Sequence, residues 1–66
     1  MRLIINGQTL DAPQFNTLAD LARWMDLPDF GAAVELNGHV IRKADHPDTP
    51  LKDGDKLEIV KLVGGG

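Results

Sequence analysis

The residues best placed to do chemistry are the last ones, Leu62-Val63-Gly64-Gly65-Gly66. Glycine lacks a Cβ and loses the most freedom on folding, so three in a row predict a mobile, narrow tail and not a packed element. An ordinary frayed terminus does not call for glycine at three successive places. An α-carboxyl ordinarily titrates at about 3.3–3.7, so the Gly66 carboxylate is ionised and nucleophilic at neutral pH. Gly66 is the candidate for chemical modification. Gly64 and Gly65 let the backbone thread a channel that side chains would block. The remainder is read as a rigid handle that brings this carboxylate to another protein's active site.

The rest of the inventory points the same way. The 66 residues include no Ser, Cys or Tyr. The hydroxyls are Thr9, Thr17 and Thr49, none with a His beside it in sequence. A Ser or Cys nucleophile is excluded. His39 and His46 and the scattered carboxylates have no metal-like spacing. A domain this small has little room for a ligand pocket of roughly 300 Å³ or more. The reading is therefore no catalytic residue of its own and no bound cofactor. Net charge is −3 with dispersed Lys and Arg, which argues against nucleic acid. No apolar run approaches the ~20 residues of a membrane span. With no Cys and no signal-peptide pattern at the start, a cytoplasmic location is expected.

A single domain must position the tail. Leu3-Ile4-Ile5, Asn6-Gly7 and Gln8-Thr9-Leu10 predict an opening hairpin, because a type I′ turn needs positive φ at both central residues. Pro13 ends the second strand. Thr17 is the expected N-cap, with Asp20 in a capping-box position. Leu18, Leu21, Ala22 and Met25 fall on one helical stripe. Leu27-Pro28 is expected to close the helix. Trp24 lies at the stripe's margin as a half-buried packing residue. Strands follow at Ala32–Leu36 and His39–Ile41, joined by Asn37-Gly38. Residues 42–50 read as a polar loop containing His46, with Leu51 plugging the core. Lys52-Asp53-Gly54-Asp55 is a tight turn. Lys56–Val63 is the last strand.

Strand parity divides that last strand. Leu57 and Ile59 share one face, and Glu58, Val60 and Leu62 the other. An unpaired carboxylate is costly to bury, so Glu58 and with it Val60 and Leu62 are assigned to the open face. Val60, Leu62 and Val63, just before the tail, form the expected partner-binding patch.

Helix and strands in this order must bury their apolar faces in two layers. A parallel first and last strand, with the helical segment as crossover, gives an α+β, ubiquitin-like β-grasp. Its mixed sheet has about five strands and one main helix on one face. The domain spans 1–63 and the glycine tail 64–66.

The ordered set of turns and strands resembles the ThiS-type sulfur-carrier family. The residues that carry the resemblance are Asn6-Gly7, Thr17-Leu18, Val34-x-Leu36-Asn37-Gly38, Pro50-Leu51-Lys52-Asp53-Gly54-Asp55, Leu57-Glu58-Ile59-Val60 and Val63-Gly64-Gly65-Gly66. Arg42-Lys43 and His46 depart from the family's frequent Pro-Arg and Trp. The resemblance implies thiamin (thiazole) biosynthesis. A ubiquitin-activating-type adenylyltransferase (ThiF-like) would adenylate Gly66 with ATP and magnesium held by that partner. A cysteine desulfurase relay would convert it to a thiocarboxylate, and a thiazole synthase (ThiG-like) would accept the sulfur.

Three alternatives remain open at this point. The small subunit of molybdopterin synthase shares the fold and tail, but it usually approaches Gly-Gly through a proline-containing segment, and Lys61-Leu62-Val63 contain none. A ubiquitin-like modifier would join its tail to target lysines. A plain β-grasp interaction module would work without its glycines.

Overall fold

The computed structural model describes residues 1–61; Leu62 through Gly66 lie outside the described residues. β1 (Arg2–Ile5) and β2 (Gln8–Asp11) form the opening hairpin, followed by helix α1 (Leu18–Trp24). β3 (Ala32–Leu36), β4 (His39–Ile41), a 3₁₀ helix (Lys43–Asp48) and β5 (Lys56–Lys61) complete the order. The strands lie in one sheet in the order β2-β1-β5-β3-β4. β1 and β5 run parallel, and the other pairings are antiparallel. A parallel pair needs a long crossover, which the α1-containing segment begins. This is the mixed sheet and single main helix expected of a β-grasp.

Local chemistry explains the turns. Asn6 and Gly7 have φ of 51° and 80°, and Asn37 and Gly38 of 51° and 87°. Positive φ at both central positions is the type I′ geometry whose twist matches the flanking strands. At the start of α1 the Asp20 carboxylate accepts from the backbone N–H of Asn16 at 3.0 Å and of Thr17 at 3.2 Å. The Leu18 N–H, left without a partner by the helix itself, donates to the Thr49 carbonyl at 2.8 Å.

The end of α1 differs from the expectation built on Pro28. Asp26 adopts φ 55°. Its N–H donates to the Arg23 carbonyl, and the Leu27 N–H reaches the Ala22 carbonyl at 2.9 Å. This is a Schellman closure with Asp in the left-handed position. The helix has already stopped before Pro28 restricts Leu27.

The segment expected as a loop also differs, because residues 43–48 coil into a 3₁₀ helix. The Asp45 N–H donates to the Arg42 carbonyl at 2.9 Å, and Thr49 closes the end through Oγ1 to the Asp45 carbonyl at 2.7 Å. The coil turns His46 inward, where it is 9% exposed. Its Nε2 lies 3.2 Å from the Ile41 carbonyl. His46 is thus a buried, hydrogen-bonded residue of a 3₁₀ helix and not part of an irregular loop; a buried polar ring needs such a partner.

Leu3, Ile5, Leu18, Leu21, Val34, Leu51, Leu57 and Ile59 form the core, with Met25 packed against it. Leu51 plugs it from the loop as expected. Ala12 and Phe15 also belong to the core, although no periodicity marks them in the sequence. Phe15 meets Trp24 with ring centroids 5.5 Å apart, tilted by 57°, so the half-exposed Trp24 serves packing.

Candidate functional site

β5 is the central strand and the one that leads toward the glycines. Both of its edges are occupied. On one side β3 pairs along its whole length, from Leu36 opposite Leu57 to Ala32 opposite Lys61. On the other side β1 pairs through Ile4 and Ile5 with Lys56 and Leu57. Beyond Ile5 the side-chain amide of Asn6 takes over, binding the backbone of Ile59. A second asparagine braces the strand's start. Asn37 accepts from the Lys56 N–H at 3.0 Å and donates to the Asp55 carboxylate at 3.1 Å. Asn6 and Asn37 thus clamp β5 as well as make turns. The sequence showed only their turn role, because the reach of a side chain to a distant strand leaves no local pattern.

The two faces of β5 separate as parity requires. Leu57 and Ile59 are buried in the core, whereas Glu58 and Val60 are exposed, Val60 by 59%. Strand register places Ala33 opposite Val60, and Glu35 between Glu58 and Val40. This open face carries Val40, 69% exposed, beside Glu35, with Glu58 one strand further across the sheet. Glu35 and Val40 escaped the sequence analysis, because their proximity to Glu58 depends on strand order. Of the expected patch, Val60 stands on the open face. Leu62 and Val63 lie outside the described residues, as do Gly64, Gly65 and Gly66.

A groove of about 310 Å³ lies on the helix side, where Ala22, Leu27, Ile41 and His46 meet Lys43 and Asp29. That is more room than the chain length suggests. Lys43 and Asp29 form an ion pair at its rim, and the hydrogen bond from the Lys43 ammonium holds the Asp29 carboxyl below its ordinary range. Among the described residues no group of three or more His, Cys, Asp or Glu converges as metal ligands. No helix among them is long and apolar enough to cross a membrane.

Comparison with known proteins adds the family. The ThiS family profile matches residues 2–66. The sulfur carrier protein ThiS of Thermus thermophilus is 40% identical over 50 residues, covering 76% of this chain and 78% of that protein. A thiazole synthase of Paramagnetospirillum magneticum is 35% identical over all 66 residues, and the chain spans only 20% of its length. The crystal structure of the thiamine biosynthesis protein ThiS from Geobacter metallireducens superposes with a TM-score of 0.78 at 29% identity, each chain covered completely. With the β-grasp, the Asn-Gly turns and the profile match through the terminal glycines together, the chain belongs to the ThiS family.

Proposed function

We propose that the chain is a sulfur carrier of thiamin biosynthesis that acts as a protein co-substrate with no catalytic residues of its own. The observation that carries this reading is the family match running through Gly66. A ubiquitin-activating-type adenylyltransferase would join the Gly66 carboxylate to AMP, with release of pyrophosphate from ATP. The terminal sulfur of a persulfide from a cysteine desulfurase relay would displace the AMP. A thiol would then reduce the resulting acyl disulfide, becoming a disulfide itself and leaving a thiocarboxylate. A thiazole synthase would take that sulfur. The Paramagnetospirillum relative supports the acceptor, because a protein of that name includes a stretch similar to this whole chain.

Each part of the chain has a task in this scheme. Gly66 leaves the reacting carbonyl unhindered, and Gly64 and Gly65 keep the approach free of side chains. Val60, Leu62 and Val63 would contact the activating partner and align the tail with its channel. ATP and magnesium belong to that partner. The test is intact-mass spectrometry after incubation with the adenylyltransferase, ATP and a sulfur donor. One oxygen-to-sulfur exchange is expected in the full chain, and none after removal of Gly65 and Gly66. Full sulfur transfer by the truncated chain overturns the reading.

A further inference from the structure

The loop between α1 and β3 holds its aromatic residue out. Phe30 is 91% exposed, the most exposed large apolar side chain among the described residues. A single exposed apolar residue is ordinary, but this one stands on a positioned loop. The backbone turns sharply at Asp26, with φ 55°, and at Gly31, with φ 80°. Between those turns the Asp29–Lys43 ion pair ties the loop to the 3₁₀ helix. Phe30 is thus a preformed knob, and seating it costs little further ordering.

A hole lies beside the knob. The groove of about 310 Å³ is lined by Pro28, Asp29 and Ala32, which flank Phe30 in the chain, and reaches inward to Ala19, Ala22 and Ile41. A concave space of this size with an apolar floor has room for a phenyl ring. Within one chain the ring is in solvent and not in the groove. Knob and hole share one patch without meeting, so the patch is complementary to a copy of itself. A two-fold axis would seat each Phe30 in the other copy's groove. Charge agrees with shape. The groove carries Arg23 and Lys43 together with Asp26 and Asp29, two of each sign, so two such rims do not repel as like-charged patches would.

We propose that the chain forms a reciprocal two-fold dimer in which Phe30 of each copy fills the groove between α1 and the 3₁₀ helix of the other. The contact lies on the helix side of the sheet, so the open face bearing Val60 stays free in both copies. The dimer stands apart from the sulfur-carrier reading and needs no other protein. Two phenyl rings and their surrounds make a small interface, of the weak and transient class.

Sedimentation equilibrium of the full chain, from micromolar to millimolar concentration, should show monomer and dimer with no larger species. Phe30→Ala removes both knobs at once and should weaken dimerisation about a hundredfold or more, with the urea midpoint of the monomer unchanged. Ala22→Leu keeps the knob and fills the hole, and should also be monomeric; Ala19→Leu blocks the same groove should Ala22→Leu fail to fold. The two defects complement each other. Isotope-labelled Phe30→Ala mixed with unlabelled Ala22→Leu regains one of the two seats, about tenfold or more weaker than the parent dimer. Amide shifts at Ala32, Ile41 and His46 are expected in that mixture, and none when unlabelled Phe30→Ala is added instead. A parent that stays monomeric at millimolar concentration, a Phe30→Ala variant that dimerises like the parent, or a mixture without shifts overturns the proposal. So do shifts confined to Glu58 and Val60, which would put the contact on the other side of the sheet.

Discussion

The side chain of Asn6 substitutes for a strand residue against Ile59: its Nδ2 donates to the Ile59 carbonyl at 3.1 Å, and the Ile59 N–H donates to its Oδ1 at 2.7 Å. β1 has already turned away at this point, so the amide supplies one more rung to the edge of β5. Asn6→Gly keeps the positive φ that the turn requires and removes only the rung. Each hydrogen bond contributes about 0.5–1.5 kcal/mol net, so the variant is expected to lose about 1–3 kcal/mol in urea denaturation. The amide of Ile59 should exchange with solvent faster than that of Leu57. Unchanged stability and exchange would show that the rung holds nothing.

Adjacent residues of β5 should respond oppositely to the same change. Ile59 is buried and Val60 is exposed. Ile59→Asp places a carboxylate in the core and is expected to cost at least about 3 kcal/mol, enough to unfold much of the population. Val60→Asp should leave the thermal midpoint nearly unchanged while slowing adenylation by the activating partner. Circular dichroism and an AMP-release assay separate the two. Wild-type adenylation of Val60→Asp would remove Val60 from the docking patch.

The N-terminus of α1 gives a pH dependence with a definite sign. The backbone N–H of Thr17, then that of Asn16, and then the Arg23 guanidinium hold the Asp20 carboxyl below its ordinary value of 3.8. A depressed folded value means that the stabilisation is fully present above the unfolded pKa and is lost as pH falls through the folded one. The contribution is thus complete at neutral pH, begins to be lost as pH falls to about 4, and goes on falling through the lower folded value. Asp20→Asn should flatten the fall in stability between about pH 5 and pH 3 relative to the parent, as read by denaturant midpoints. Parallel pH profiles for the two proteins would mean that the cap carries no charge-dependent stability.

The sheet was legible because its signals are local. Asn-Gly at residues 6–7 and 37–38 specifies a turn that few other pairs can make, and the alternation of Leu57, Ile59 and Val60 follows from a period of two. The parallel placement of β1 and β5 was an expectation made possible by a helical segment long enough to serve as the crossover. What stayed hidden depends on position in space. The Asp26 closure uses a residue type that visits left-handed φ only sometimes. The inward turn of His46 follows from a coil too short to show a period. The opposition of Glu35 and Glu58, 23 positions apart in the chain, exists only once strand order is known. Val60 fell on the face that parity assigned to it, while Leu62, Val63 and the glycines lie outside the described residues.

The central place of β5 also bears on how the protein is made. Its neighbours on both sides, β1 and β3, are synthesised earlier and must wait for residues 56–61 before the sheet can close. Contacts between the two ends of a chain are the slowest kind to form. During translation no native sheet can exist until Lys61 has emerged from the ribosome, which leaves the β1–β2 hairpin and α1 to survive as fragments or in the care of chaperones. The same dependence acts as proofreading. Once Asn6 and Asn37 have locked β5, the segment bearing the glycines is attached to a finished fold, so an activating partner that grips the sheet face would engage only molecules that have completed folding.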